Sequence, residues 1–330
     1  MMRIGRSIFS AAAMVAACWL AQGEATAQDA PKVYRVGLLT SGPPGVGLLG
    51  PELVRDFVRR GYVPDKTIAF EPRAAQGKID LLPALVEELV ASHVDVIITV
   101  SYPAAIAAKE HAGGIPIVVT LSGDPVATHL VDSLARPGGT ITGVSEIATE
   151  LSAKRLQLLK EAVPGVHSVA VLWNADDLGM TLRYRAAEEE AAKLGMVIVP
   201  LGVHAPDDFD TAFTEMTKTP PDAILMVTDV LTNLNRKRVI DFAAAHHLPS
   251  IFEYDSLAHD GGLMAYGPNM SDIMDRAAGL ADRILHGAKP ADLPLELPTR
   301  FQYAVNLKTA KALGITISES AQLRADDVIE

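Results

Sequence analysis

In this 330-residue chain the side chains able to hold a small polar solute stand where apolar runs stop. Ser41 and Gly42 follow the run from Val33 to Leu39, Ser101 and Tyr102 follow Val94 to Val100, and Ser122 and Asp124 follow Pro116 to Thr120. Further along, Asn174 follows Ser168 to Trp173, Thr228 and Asp229 close the run from Asp222, and Glu253 and Tyr254 follow Pro249 to Phe252. Hydroxyls and the free amides of a helix N-terminus hold a carboxylate, while Asp229 or Glu253 holds an ammonium, so the set fits an amino acid. Tyr102 and Tyr254 offer faces to an aromatic or apolar group. The same residue types also cap helices, and Asp124 before Pro125 and Asp229 before Val230 are the positions where capping alone is the simplest reading. Trp173, at a strand end, reads as core.

No catalytic or metal-binding constellation accompanies these residues. HExxH, CxxC, GxSxG and Walker A patterns are absent from the sequence. His246 and His247 are adjacent on a helical stretch, about 100° apart around its axis, and cannot share a metal. Glu188, Glu189 and Glu190 read as the wet face of a helix. Gly45-Val46-Gly47-Leu48-Leu49-Gly50 spells GxGxxG, with Glu71 near the end of the next strand, as an oxidoreductase binding a dinucleotide would have it. That fingerprint turns tightly at the strand end and buries its third glycine in the helix; here Pro43 and Pro44 intervene, and Pro51 opens the helix only after Gly50. The chain is therefore expected to work without cofactor, metal or catalysis.

The scaffold that must place these side chains is legible in composition and periodicity. Apolar residues make up 49% of the chain and aromatics only 5%, a balance suited to buried parallel strands under Ala-rich helices. A net charge of -11 argues against a nucleic-acid partner, which needs clustered excess Lys and Arg. Beyond the first thirty residues no apolar run reaches the ~18 residues of a membrane span. Within them, Arg3 and Arg6 precede an apolar run from Ile8 to Ala21, and Ala25-Thr26-Ala27 supplies a small-x-small pattern. Residues 1–27 read as an export signal cleaved after Ala27, which places the mature chain in the periplasm. Val15-Ala16-Ala17-Cys18 also fits a lipid-anchoring site, but Trp19 and Leu20 continue the apolar run where a polar tether is usual. Cys18 is the only cysteine, so cleavage after Ala27 leaves no thiol and no disulfide.

The remaining chain repeats one pattern. Strand-like runs at Val33 to Leu39, Thr67 to Glu71, Val94 to Val100 and Pro116 to Thr120 alternate with helical stretches near Pro51 to Arg60, Asp80 to Ser92 and Ala104 to His111. The order returns at Ser168 to Trp173, Met196 to Leu201, Asp222 to Thr228 and Pro249 to Phe252, with helices near Asp177 to Leu194, Asp207 to Lys218 and Leu231 to His247. Such alternation predicts an α/β protein of two doubly wound lobes, each a parallel sheet with helices on both faces. The turn-rich stretch from Arg136 to Ser145 reads as the linker before a helix at Leu151 to Ala162. A late helix from Ser271 to His286 and a strand from Phe301 to Asn306 are placed to return to the first lobe and then to the second. Facing sheets bring two sets of strand-end loops to one cleft.

The local sequence also resembles the substrate-binding proteins of ABC transporters, in the family that includes streptococcal tryptophan-binding proteins. The matching segments include Gly61-Tyr62-Val63, Val94-Asp95-Val96-Ile97, Gly123-Asp124-Pro125-Val126, Leu134 to Gly139 with Thr142-Gly143-Val144-Ser145, Val171-Leu172-Trp173-Asn174, Gly261-Gly262-Leu263-Met264 with Tyr266-Gly267-Pro268-Asn269, and Gly287 to Pro294 with Asn306 to Ala310. The resemblance implies a type I periplasmic-binding-protein fold, a monomer that hands its solute to a membrane permease and its ATPase. It implies three crossings between lobes, near Thr142 to Ser145, Tyr266 to Pro268 and Pro298 to Phe301, with Ser145, Tyr266, Pro268 and Arg300 as hinge residues. The lobes would then comprise residues 32–142 with about 268–298, and 145–265 with about 300–330. An exported sensing module for a receptor kinase would have the same fold.

Overall fold

A computed structural model describes residues 32–44 and 51–330. The expected export signal, Cys18 and the Gly45 to Gly50 run lie outside the described residues. The first sheet has the order β2-β1-β3-β4-β5 with every pair parallel. Its strands are β1 (Tyr34–Thr40), β2 (Ile68–Ala74), β3 (Val96–Val100), β4 (Ile117–Thr120) and β5 (Ile141–Gly143). Three helices, α1 (Pro51–Arg59), α2 (Leu82–Ala91) and α3 (Tyr102–His111), make the crossovers. Strand alternation sends Val36, Leu38, Val96 and Ile98 to one face and Leu39, Ile97, Ile117 and Val119 to the other, and each face carries its own apolar core.

The second sheet runs β12-β11-β10-β9-β8-β6-β7. Its strands are β6 (Ser168–Asn174), β7 (Val197–Val203), β8 (Ala223–Met226), β9 (Ser250–Phe252), β10 (Met264–Pro268), β11 (Phe301–Asn306) and β12 (Asp327–Ile329). It is covered by α4 (Ala148–Ala162), α5 (Leu178–Lys193), α6 (Asp208–Lys218), α7 (Val230–Leu234), α8 (Arg236–Ala245), α9 (Asp255–His259), α11 (Leu307–Leu313) and α12 (Glu319–Arg324). All neighbours are parallel except β10 and β11. That exception follows from the chain path. After β10 the chain leaves for the first sheet, where α10 (Met270–Leu285) packs Met274, Ala277, Leu280 and Ala281 against Val36, Leu38 and Val118. It returns past β5, where Thr142 Oγ1 donates to the Leu293 carbonyl at 2.9 Å and Ser145 N–H donates to the Glu296 carbonyl at 2.9 Å. β11 therefore starts at the end where β10 stopped, so the two run in opposite directions with Pro268 opposite Phe301.

The chain thus passes between the sheets at residues 144–147, 268–269 and 297–300. Ser145 is buried, Pro268 ends β10, and Arg300 is exposed with its carbonyl accepting from Asn269 N–H at 2.9 Å. Two glycines feed these passages. A Cβ on Gly143 would stand 2.1 Å from the Val119 carbonyl oxygen, and one on Gly267 would stand 2.1 Å from that of Glu253. The first contact is with backbone of the paired strand β4 and the second with backbone just past the end of β9, neither of them the movable end of a side chain. Gly143→Ala should therefore cost on the order of 3 kcal/mol, at the upper end for overpacking, read as a lower urea midpoint.

Some local expectations change. β5 forms where a linker was expected, because Gly143 lets it lie against β4. The expected Leu231 to His247 helix breaks at Asn235, whose side-chain amide donates to the Leu231 carbonyl at 2.9 Å and separates α7 from α8. Glu190 is not on a wet face. Its side chain is 11% exposed and accepts from Gln157 of α4 at 2.7 Å and from Lys193 at 3.0 Å, which holds its carboxyl below the usual range. Trp173, expected in the core, is half-buried and packs against the second sheet's core, stacked 3.9 Å from the half-buried Tyr184.

Candidate functional site in the cleft between the sheets

The carboxyl ends of β1, β3 and β4 face those of β6, β8 and β9 across a cleft that holds two joined chambers. The first, about 330 Å³, is mostly apolar. The first sheet's side gives it Val100, Leu121, Tyr102 and Met270; the second gives Met180, Val230, Leu234 and Tyr254. The second chamber, about 370 Å³, is also mostly apolar, and Gln76, Lys78, Asn174, Asp176 and His204 supply polar groups to its wall. Ser101, Asp177, Asp229, Val230 and Leu234 line both. Around the chambers the halves touch: a Cβ on Gly42 would lie 3.7 Å from Val230, and one on Gly77 would lie 3.6 Å from Leu234.

Each polar wall group is placed by a strand-to-helix turn. Ser101 leaves β3 and caps α3, its hydroxyl accepting from Ala104 N–H at 3.4 Å and standing 2.7 Å from the Ser41 hydroxyl at the end of β1. Its backbone, at φ 91° and ψ 155°, occupies a region that glycine enters freely and serine does not. Strain of this kind, worth about 1–3 kcal/mol, gathers at binding sites. It aims the α3 N-terminus and two hydroxyls at the cleft, an arrangement suited to a carboxylate.

Two carboxylates oppose them. Asp177 caps α5, accepting from Met180 N–H at 3.2 Å. Asp229 caps α7 in a capping box, one oxygen accepting from Thr232 N–H at 2.8 Å and the other from the Asn174 amide at 2.6 Å. Burial, and then the charge of Asp229, push the Asp177 carboxyl up to about 6. A pair of carboxylates facing one cavity is the electrostatic complement of a cation.

Behind the chamber lies a closed set of ions. Glu253 is 1% exposed; it accepts from Arg155 Nη2 at 2.8 Å, and both its oxygens accept from Arg183 Nη1 at 3.0 Å. Arg183 Nη2 also donates to Glu146 at 3.2 Å, and the Tyr254 hydroxyl donates to the same carboxylate at 3.2 Å. Glu146 sits in the first passage between the sheets, and Arg155 Nε donates to the carbonyl of Tyr266 on β10 at 2.7 Å. Burial raises the Glu146 carboxyl, with Arg183 opposing the rise, and burial raises the Tyr254 hydroxyl.

Of the residues named from sequence, Gly42, Ser101, Tyr102, Asp229 and Tyr254 line the first chamber, and Ser41 and Asn174 join Ser101 and Asp229 in the second. Three do not line either. Ser122 is fully buried, and Asp124 closes its own turn by accepting from Val126 and Ala127 N–H. Glu253 is occupied by two guanidiniums, so the expectation that it meets an ammonium is replaced by a structural role. Asp177 was missed, although it follows Asn174 by three residues and opens a helix, the same signal that marked Asp229. Met180 and Arg183 reach the chamber one and two turns into α5, where the sequence carries no mark of a site.

The family profile described as ABC transporter substrate binding protein matches residues 57–329. A tyrosine-binding protein of Clostridioides difficile (strain R20291) is 25% identical over 269 residues, which cover 82% of this chain and 76% of that one. Among solved structures, a conserved domain protein from Vibrio cholerae superposes with a TM-score of 0.85 at 25% identity, covering 90% of this chain and 100% of its own. An ABC domain from Streptococcus pneumoniae in complex with L-Trp gives 0.84 at 24% identity with the same coverage. The periplasmic-binding-protein-like fold is common to them. Members of the family bind solutes outside the cytoplasm and do not transform them, and among the described residues no helix is long and apolar enough to cross a membrane. This chain belongs to the ABC transporter substrate-binding protein family and is the solute-binding component of such a transporter.

Proposed function

We propose that the chain captures an amino acid with an apolar or aromatic side chain for uptake from the periplasm, reached through cleavage after Ala27. One observation carries this reading: a mostly apolar chamber has two carboxylates, Asp177 and Asp229, on one wall and the Ser101 hydroxyl, paired behind it with that of Ser41, together with the α3 N-terminus on the other. The ammonium lies against the aspartates, the carboxylate against the Ser101 hydroxyl, and the side chain fills the chamber between Tyr102 and Tyr254. Because the two charged ends of one solute then contact opposite lobes, the solute stabilises the closed form, with bending at Ser145, Tyr266, Pro268 and Arg300. The closed form presents both lobes together to the permease and its ATPase. The tyrosine-binding and L-Trp-bound relatives support an amino acid as the solute.

A thermal-shift series tests it. L-Tyr, L-Trp, L-Phe and L-Leu at a hundredfold their dissociation constants should each add about 2.7 kcal/mol if bound, while sugars and dinucleotides add nothing. A series in which sugars alone raise the melting temperature sinks the proposal.

A further inference from the structure

We infer that Glu146 is a positioning residue that latches the two lobes: from the first passage between the sheets, its carboxylate joins the turn after β4 to Arg183 and Tyr254 on the first chamber's wall, so that a solute seated against that wall holds the lobes together. The inference rests on closure by bending at the passages, as proposed above, and not on which solute is bound.

The backbone places Glu146 where the lobes part. On one side of it, Ser145 N–H donates to the Glu296 carbonyl, and Glu296 N–H donates to the carbonyl of Gly143 on β5, each at 2.9 Å. On the other side, the Ile147 carbonyl accepts from Leu151 N–H at 3.1 Å and opens α4 on the second sheet. Ile147 stands at φ 46° and ψ 43°, a left-handed conformation that a β-branched residue rarely enters. Such strain persists only where the surroundings over-determine it. Here the neighbouring Glu146 side chain is fixed from two directions.

From the first sheet, Gly123 N–H in the turn after β4 donates to the buried Glu146 carboxylate. From the second, Arg183 Nη2 and the Tyr254 hydroxyl donate to it, each at 3.2 Å. The turn lies directly on α5: a Cβ on Gly123 would stand 3.8 Å from Gly179 Cα and 3.8 Å from Arg183 Nη2. Lobes that swing apart lift this turn off α5, and the carboxylate then loses donors on one side. Its set is complete only in the closed form. Arg183 and Tyr254 also line the first chamber, so Glu146 and the solute hold the same two side chains, and each favours the other's contacts.

Cross-linking without solute tests this. Residues 28–330 hold no cysteine. Gly42→Cys with Val230→Cys places one thiol on each lobe, and the two can join only when the lobes close, since a Cβ on Gly42 would lie 3.7 Å from the Val230 side chain. Rates of disulfide formation with diamide are taken relative to the maleimide reaction of each single-cysteine variant. Adding Glu146→Gln should slow joining about tenfold, the worth of a hydrogen bond to a charged group, and Tyr254→Phe about threefold. Both together should be no slower than Glu146→Gln alone, because they share one interaction. With the fluorescence of Trp173 as reporter, Glu146→Gln should release L-Tyr about tenfold faster with an unchanged association rate. A part that serves folding alone would lower the melting temperature and move neither rate. Joining or release at the parent's rate in Glu146→Gln overturns the inference, and Tyr254→Phe decides by the same readouts should Glu146→Gln fail to fold. A parent that binds no L-Tyr counts against the amino-acid reading and leaves cross-linking to decide the latch.

Discussion

Asp177→Asn raises the melting temperature of the chain and destroys its capture of an amino acid. Asp177 is 5% exposed, and burial together with the neighbouring charge of Asp229 lifts its carboxyl from 3.8 to about 6. Because the folded form holds its proton more tightly than the unfolded chain does, ionisation of Asp177 weighs against folding. The penalty is absent below pH 3.8, grows as pH rises toward about 6, and is complete above that. At pH 7 it amounts to about 3 kcal/mol. Asparagine carries no charge to desolvate, yet it caps helices as well as aspartate does and still accepts from Met180 N–H. The variant should melt on the order of 5 °C higher, a shift that calorimetry resolves.

Capture moves the other way. Without one of two carboxylates the ammonium loses a charged partner inside a poorly hydrated cavity, a change of about 2–5 kcal/mol, or at least about thirtyfold in Kd. The wild-type chain should also release its solute on acidification, since the proton and the ammonium compete for Asp177. Between pH 7 and pH 5 its affinity should fall about tenfold, and the residual affinity of Asp177→Asn should stay flat over the same range. A variant that melts higher and still binds as the parent does would separate Asp177 from the site.

The sequence carried the lobes and the strand ends because both depend on local periodicity. Runs such as Val94 to Val100 have one buried environment on both faces, and any polar residue that follows them stands at the edge of the sheet. Ser101, Asp229 and Tyr254 were legible for that reason. What escaped depends on where side chains of different elements meet. Glu253 follows β9 just as Asp229 follows β8, yet one is clamped by Arg155 and Arg183 while the other faces the cleft, and nothing within either segment separates the two. Arg183 reads as an ordinary helical arginine until α5 is placed against the first passage between the sheets. The antiparallel pairing of β11 is likewise fixed by the excursion of α10 to the other sheet, at a sequence separation that periodicity does not sense.

Those long-range contacts make Arg183→Met the most damaging single change expected in the ionic set. Methionine keeps much of the volume, so the variant isolates the charge. Glu146 then has no cation, keeping the Tyr254 hydroxyl and the Gly123 N–H, and Glu253 keeps Arg155 alone. Breaking a buried pair in this way costs about 3–5 kcal/mol, because the surviving carboxylate stays out of water without its partner. Arg183→Lys should recover little of it, since one ammonium cannot reproduce the fork that spans Glu146 and Glu253. The sign of the pH dependence distinguishes this cause from lost packing. Burial already raises the Glu146 carboxyl with Arg183 in place; without the guanidinium it rises further, and the folded state gains by taking up a proton. The deficit should therefore be largest at pH 8 and shrink as pH falls toward 5. Adding Glu146→Gln to Arg183→Met should return part of the loss at pH 8, where the uncompensated charge is greatest. Urea titrations of the three variants at pH 8 and pH 5 measure all of these terms, and a deficit that is equal at the two pH values would assign the loss to packing instead of charge.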